Sequence, residues 1–441
     1  MKKLTTKTCS KSGANAMKLW YRCLLLVVLL STFVPTSSWA AGLWLYELAT
    51  PDMGTAAAGR AAMANDASTA GTNPAGMARL ERSQFLAGFQ GIITETEFDT
   101  DSSSFGGGDG GNAGDFFPAA SLHYAHRLTQ NFQLGVSAGS YFGLGVDYDD
   151  DWAGRYYVQE AEFLTFGINP GIGYRVNEWL SLGAGFSVVY AELEQKAAIN
   201  NSVTDPGTPD GQIKIEDSEF GYGFNFGVLV EPRDGTRFGI TYRSEVDLEF
   251  KDVAQLKGVG PNLQALLDLA GVTGSKVDLE MNLPQAVMVS GYHKLTETLA
   301  IMANFGWQDW SEFGKSDVTV RSSTTTSFTQ DRNFKDTWHV AIGAQYRFLE
   351  NWLWSVGFAY DSSPVDNDDR TPDLPIDRQI RYATGLQYDW NEDVTIGAAY
   401  TYLDNGDAEI DQNRGPLAGE LEGDYKTNQI HFFNVNLIWR F

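Results

Sequence analysis

Apolar side chains recur at every second position through most of the chain. Leu164, Phe166, Ile168, Pro170, Ile172, Tyr174 and Val176 share one parity, while Thr165, Gly167, Asn169, Gly171, Gly173 and Arg175 share the other. The same alternation runs through 180–190, 220–230 and 338–348, and again through 132–142, 238–242, 299–307, 352–360, 380–390 and 394–402. A period of two belongs to a strand whose two faces meet different surroundings, and these runs are long enough to cross a bilayer at a tilt. A last run places Phe433, Val435, Leu437, Trp439 and Phe441 against Asn434, Asn436, Ile438 and Arg440.

A soluble sandwich also alternates, so the links between runs carry the decision. Tight turns at 127–131, 177–179, 231–235, 294–297, 349–351 and 391–393 take turns with long polar segments at 94–116, 147–157, 191–219, 252–277, 309–335, 361–378 and 403–427. Six short links and seven long ones predict fourteen strands, with turns at one end and loops at the other. In lipid only closure satisfies every backbone N–H and C=O, so the expected fold is an all-β membrane protein, a 14-stranded antiparallel transmembrane β-barrel over 83–441.

Two segments break the period. Residues 1–40 carry Lys2, Lys3, Lys7, Lys11, Lys18 and Arg22 without an acid, then the apolar run from Leu24 to Leu30, then Ser38-Trp39-Ala40. This predicts a secretory signal peptide cut after Ala40. Its loss takes the formal charge from −24 to −30 and removes Cys9 and Cys23, the two cysteines present, so disulfides and thiolate chemistry are not expected. A mean hydropathy of −0.25 excludes a bundle of membrane helices, and the acidic balance excludes nucleic acid as a partner. Residues 41–82 are rich in Ala and Gly, with Asn73-Pro74 as a turn. Composition alone leaves two readings for them: a compact body inside the lumen, or a tail below it.

Ala41-Gly42-Leu43-Trp44-Leu45-Tyr46-Glu47, Asn65-Asp66-Ala67-Ser68 and Asn73-Pro74-Ala75-Gly76-Met77 resemble the N-terminal hatch of the FadL-like family, the bacterial long-chain fatty acid transporters and aromatic-hydrocarbon channels. The likeness continues through Thr241-Tyr242-Arg243-Ser244-Glu245, Trp307-Gln308-Asp309-Trp310 and Tyr360-Asp361-Ser362-Ser363-Pro364. It implies a barrel plugged by a hatch over 41–82, with Gly42, Tyr46, Asn73, Pro74 and Ala75 among the hatch residues. It also implies diffusive uptake of a hydrophobic compound, with long-chain fatty acids the leading substrate and aromatic hydrocarbons the alternative. In such proteins cargo enters at an outer groove, reaches a lumenal pocket and leaves through a gap where the third strand kinks. Phe142, Gly143 and Gly145 stand at that position here.

Leu263, Leu266 and Leu267 recur at helical spacing within 252–277, together with Val253, Leu256 and Leu269. They line an outer groove or cap the barrel mouth; both readings stand. A carboxylate head group calls for an inward cation, and strand parity nominates Arg243, Lys335, His339 and Arg381. Their alternative is pairing with neighbouring acids inside the lumen. No catalytic set, metal site or cofactor motif stands out: Gly106-Gly107-Gly108-Asp109-Gly110-Gly111 lacks the Lys-Ser or Lys-Thr of a phosphate loop, and His123 and His126 fall on opposite strand faces. The expected protein is therefore a monomeric channel and not an enzyme, set in outer-membrane lipid and lipopolysaccharide. A lipase or a general porin are the less favoured alternatives.

Overall fold

The computed structural model describes residues 43–251, 254–270, 274–321 and 325–441, so the expected signal peptide and Gly42 lie outside the described residues. The alternating runs become fourteen antiparallel strands: β1 (Gln84–Ser103), β2 (Phe116–Arg127), β3 (Phe132–Gly139, resumed as Phe142–Asp147), β4 (Glu160–Arg175), β5 (Leu180–Ile199), β6 (Gly211–Arg233), β7 (Thr236–Arg243), β8 (Ala286–Lys294), β9 (Leu299–Gln308), β10 (Thr337–Leu349), β11 (Trp352–Asp361), β12 (Gln379–Asp389), β13 (Val394–Asp404) and β14 (Glu420–Arg440). Each pairs with the next, and β14 returns to β1 from Gln84↔Arg440 to Ser103↔Leu421, which closes the wall. Parity holds on both faces. Phe166, Ile168 and Ile172 point out, whereas Thr165 and Asn169 are buried. Short turns gather at one end of the barrel and long segments at the other, as the links predict.

The strands at the long-loop end overrun the predicted loops. β5 and β6 pair from Leu180↔Val230 up to Ile199↔Gly211, through residues expected to be loop, and β1 and β14 extend likewise. Charge pairing takes over where apolar alternation stops: Glu194 meets Lys196 at 2.8 Å and Lys214 at 2.9 Å, and Lys214 meets Glu216 at 2.7 Å. The segments 252–277 and 309–335 are also less open than expected. Strands Val246–Phe250, Lys276–Leu283, Lys315–Arg321 and Thr325–Asp331 form a separate four-stranded sheet, and a helix spans Pro261–Ala270. Leu248, Phe250, Leu279, Met281, Val318 and Val320 are buried on that sheet, packed into the barrel mouth.

The N-terminal segment lies against the inner faces of the strands, in four short helical turns at Pro51–Thr55, Arg60–Met63, Thr69–Thr72 and Pro74–Arg79. The wall makes room for it with small residues. Gly88, Gly135, Gly173, Gly183, Gly227, Gly239, Gly343, Gly357 and Gly385 stand on nine different strands, and a Cβ at each would strike this segment. Where the wall carries polar side chains they bond the segment's backbone: Asn304 Oδ1 accepts from Gly59 N at 2.7 Å, and Ser290 Oγ accepts from Ala61 N at 3.0 Å. Asn73 locks the final turn by accepting from Ala75 N at 3.1 Å and donating to Ala61 O at 2.6 Å.

Candidate functional site

The wall is interrupted at β3. The lower part of that strand pairs with β2 from Leu122↔Ala138 to Arg127↔Gln133. The upper part, Phe142–Asp147, pairs with β4 on one side. On its other side it meets not β2 but the N-terminal segment, through Leu43↔Gly143 and Trp44↔Phe142. Side-chain hydroxyls serve the backbone groups that the break frees: Thr165 Oγ1 accepts from Phe142 N and donates to Phe142 O, both at 3.0 Å. Tyr141 turns into the lumen, its hydroxyl 3.1 Å from Ser137 Oγ, and its carbonyl accepts from Leu45 N at 3.1 Å. Of the two glycines nominated here, Gly145 is the demanding one. A Cβ on it would stand 2.7 Å from the Phe117 ring, whereas Gly143 meets Leu45 at an ordinary 3.7 Å.

A cavity of about 510 Å³ occupies the break, a size suited to one small ligand. Leu45, Ile92, Ile430 and Phe432 bound it from the lumen, and Leu164, Phe166 and Tyr190 from the lipid side, so it passes through the wall. Thr94, Ser140, Thr165 and Glu192 are the polar groups on an otherwise apolar lining. A second cavity of about 60 Å³ lies deeper, between the N-terminal segment and β6 to β9, and shares Leu45 and Tyr141's neighbourhood with Arg243 and Arg60. From Leu45 one apolar cluster runs up through Phe163, Leu193 and Ile215 to Leu263 in the outer helix.

The nominated cations take different places. Arg243 faces the lumen, its guanidinium 4.3 Å over the Tyr141 ring and donating to Gly71 O at 3.2 Å. His339 and Arg381 also face inward and come together with Asp361: His339 Nδ1 lies 2.9 Å from Asp361 Oδ1, and an Arg381 nitrogen bonds Asp361 Oδ2. Glu47 completes this cluster, its Oε1 accepting from Arg381 Nε at 3.1 Å, and the Tyr46 ring lies 4.3 Å from that of His339. Lys335 corrects the expectation. It precedes the start of β10 at Thr337, so strand parity does not apply to it; its side chain is 58% exposed and pairs with Asp366 in the neighbouring loop.

Leu263 and Leu267 are buried and Leu266 half-buried, while Leu256 and Leu269 stay exposed; Val253 is outside the described residues. Leu263 belongs to the apolar cluster that also holds the buried residues of the outer sheet. Of the residues expected of a hatch, Tyr46, Asn73, Pro74 and Ala75 are all buried. Sequence reasoning passed over Glu47, although a lone acid among apolar and small residues is the signal that finds it. It also passed over a second loop cluster, where Tyr148 stacks on Trp152 at 4.0 Å and bonds the Tyr425 hydroxyl at 2.6 Å. Beside it Arg414 lies 4.6 Å over the Tyr157 ring, and burial lowers its pKa to about 10.

Comparison with known proteins agrees with this geometry. Residues 31–441 match the family model described as outer membrane protein transport protein (OMPP1/FadL/TodX). The chain is 30% identical to the long-chain fatty acid transport protein of Escherichia coli O6:H1, over 89% of this chain and 93% of that one. It is 28% identical to outer membrane protein P1 of Haemophilus influenzae, over 82% and 86%. Among solved structures it is similar in fold to a Pseudomonas aeruginosa FadL homologue (TM-score 0.82, 20% identity, 91% and 100% covered) and to the Ralstonia pickettii toluene transporter TbuX (0.62, 18%, 90% and 100%). The chain thus belongs to the OMPP1/FadL/TodX family of outer membrane transport proteins.

Proposed function

We propose that the chain is a passive outer-membrane channel for hydrophobic small molecules, with long-chain fatty acids as its main cargo, and that cargo leaves through the break beside β3. The observation that carries this reading is the cavity that joins lumen to lipid at the break. The relatives named for long-chain fatty acid transport, matched over most of both chains, favour that substrate class. The likeness to toluene transporters supports aromatic hydrocarbons as the second reading. The long loops face outside and the short turns the periplasm. The N-terminal segment acts as the plug, the barrel works as a monomer among lipid and lipopolysaccharide, and no catalytic step is involved.

The physical need for such a route is plain. Each CH₂ moved from apolar surface to water costs about 0.8 kcal/mol, so a chain of about 16 carbons faces roughly 12 kcal/mol in a water-filled pore. A continuous apolar lining avoids most of that barrier. Gly145→Phe fills the break from β3, because even a Cβ there already meets Phe117. The variant should assemble normally and take up labelled palmitate at least tenfold more slowly in cells lacking other uptake routes. Unchanged uptake would sink the sideways exit.

A further inference from the structure

On the lipid-facing side of β7 to β11, away from the break, the outward side chains thin out. Phe238, Gly291, Ala303, Ile342 and Phe358 stand side by side across these five strands. The two small residues in the middle leave a groove of about 860 Å³ between Phe238 and Ile342, which continues past Ala344 toward the short turns. Space at Gly291 is open: an added Cβ would meet only the Phe238 ring, at an ordinary 3.8 Å. The turn end of the groove is polar. A register shift between Val230 and Arg233 matches three residues of β6 to two of β7, so Arg233 stands opposite Thr236 on the lipid side, where unbroken alternation from Val230 would have turned it into the lumen.

Arg233 Nε donates to Thr236 Oγ1 at 3.0 Å, and that hydroxyl lies 2.9 Å from His293 Nδ1. A hydroxyl that accepts from the arginine gives its own proton to Nδ1, which leaves Nε2 of the neutral ring as a donor. Arg233 is exposed, and Glu231 beside it is taken by Arg79; among the described residues no acid pairs with Arg233. We propose that this groove holds one glycerophospholipid of the periplasmic leaflet, with its phosphate on Arg233 and His293 Nε2 and one acyl chain between Phe238 and Ile342. Charge complementarity names the head group, because a phosphate diester takes the charge-assisted bonds of a guanidinium, and the short turns lie at the head-group level of that leaflet. Shape names the rest. A chain already in lipid gains nothing by leaving other chains, so it is held by close packing where small residues leave room, and by the anchor at its head. The site rests on the periplasmic placement of the short turns and not on the cargo or its exit.

The test counts lipids by native mass spectrometry on the purified protein, washed free of lipid in detergent and titrated with dipalmitoyl phosphatidylglycerol. The parent should hold a first lipid at least tenfold more tightly than any further one. Gly291→Leu, which fills the groove, and Arg233→Ala, which removes the phosphate contact, should each weaken that first lipid at least tenfold. Ala398→Leu, an exposed small residue on β13, should leave it unchanged, and millimolar inorganic phosphate should not displace it. Lipids of equal affinity, parent-like binding by both groove variants, an equal loss in Ala398→Leu, displacement by phosphate alone, or a second copy of the chain in place of lipid each overturn the proposal. Arg233 lies exposed at the edge of a turn, so its variant decides even where Gly291→Leu fails to assemble. No cargo enters the measurement, and its failure therefore leaves the channel reading standing.

Discussion

At the scale of single residues, the inward glycines are what let the N-terminal segment sit in the bore. A Cβ at Gly357 would lie 2.0 Å from the Thr55 carbonyl, and one at Gly239 would lie 1.9 Å from the Ala61 oxygen, so backbone and not a flexible side chain stands in the way. Gly357→Leu should therefore push the segment from its seat while the strand ladders hold. In planar bilayers the variant should pass ions steadily where the parent is silent, with heat-modifiable electrophoretic mobility confirming an assembled barrel. A silent Gly357→Leu would mean that something other than this segment blocks the bore. Strand parity placed these glycines on the inner face from sequence alone, but parity names a side and not a neighbour, so their partners were not legible. The same limit explains the cations. Parity is right for Arg243, His339 and Arg381, and it misplaces Lys335, which stands two residues outside the strand that would have turned it inward.

At the scale of elements, the membrane-crossing halves of the strands were legible because lipid enforces strict alternation. Their outer halves were not, because beyond the lipid a strand is held by charge pairs such as Lys214 with Glu194, which leave no apolar period to read. The four-stranded outer sheet did leave one, in Val246-Asp247-Leu248-Glu249-Phe250, but at five residues, between the run at 238–242 and the long segment at 252–277, it is too short to read as a strand that crosses a bilayer. Charge at this end also makes a prediction. Asp424, on the outer part of β14, has its pKa raised by burial first and then by Asp101, Asp99, Asp407 and Glu409. A folded-state pKa above the unfolded one means that the protonated form favours the fold; that stabilisation is complete below about pH 4 and is lost as the pH rises through the folded value. The 405–424 segment should thus open more readily at pH 7 than at pH 4. Hydrogen exchange, corrected for its intrinsic pH dependence, should show this difference, and Asp424→Asn should shrink it; equal protection at both pH values would contradict it.

Across the whole molecule, the wall, the N-terminal segment and the outer sheet share one apolar cluster, from Leu263 in the loops through Phe432 on β14 to Leu45 at the break. A ligand that keeps to this surface gains in proportion to its length, because each methylene left in apolar contact escapes about 0.8 kcal/mol of hydration cost. The dependence of uptake on chain length is therefore a direct reading of the path. Phe432 is fully buried and faces the wall cavity from the lumen, so Phe432→Asp puts a charge on that surface without touching the strand ladder on either side. Palmitate uptake by this variant should fall at least tenfold and octanoate uptake by much less, since the shorter chain depends less on apolar contact and is less costly to wet. Measured over a series of saturated acids, the slope of log rate against carbon number should flatten relative to the parent. A parallel downward shift at all lengths would mean only a narrowed opening, and an unchanged series would place the route away from Phe432 altogether.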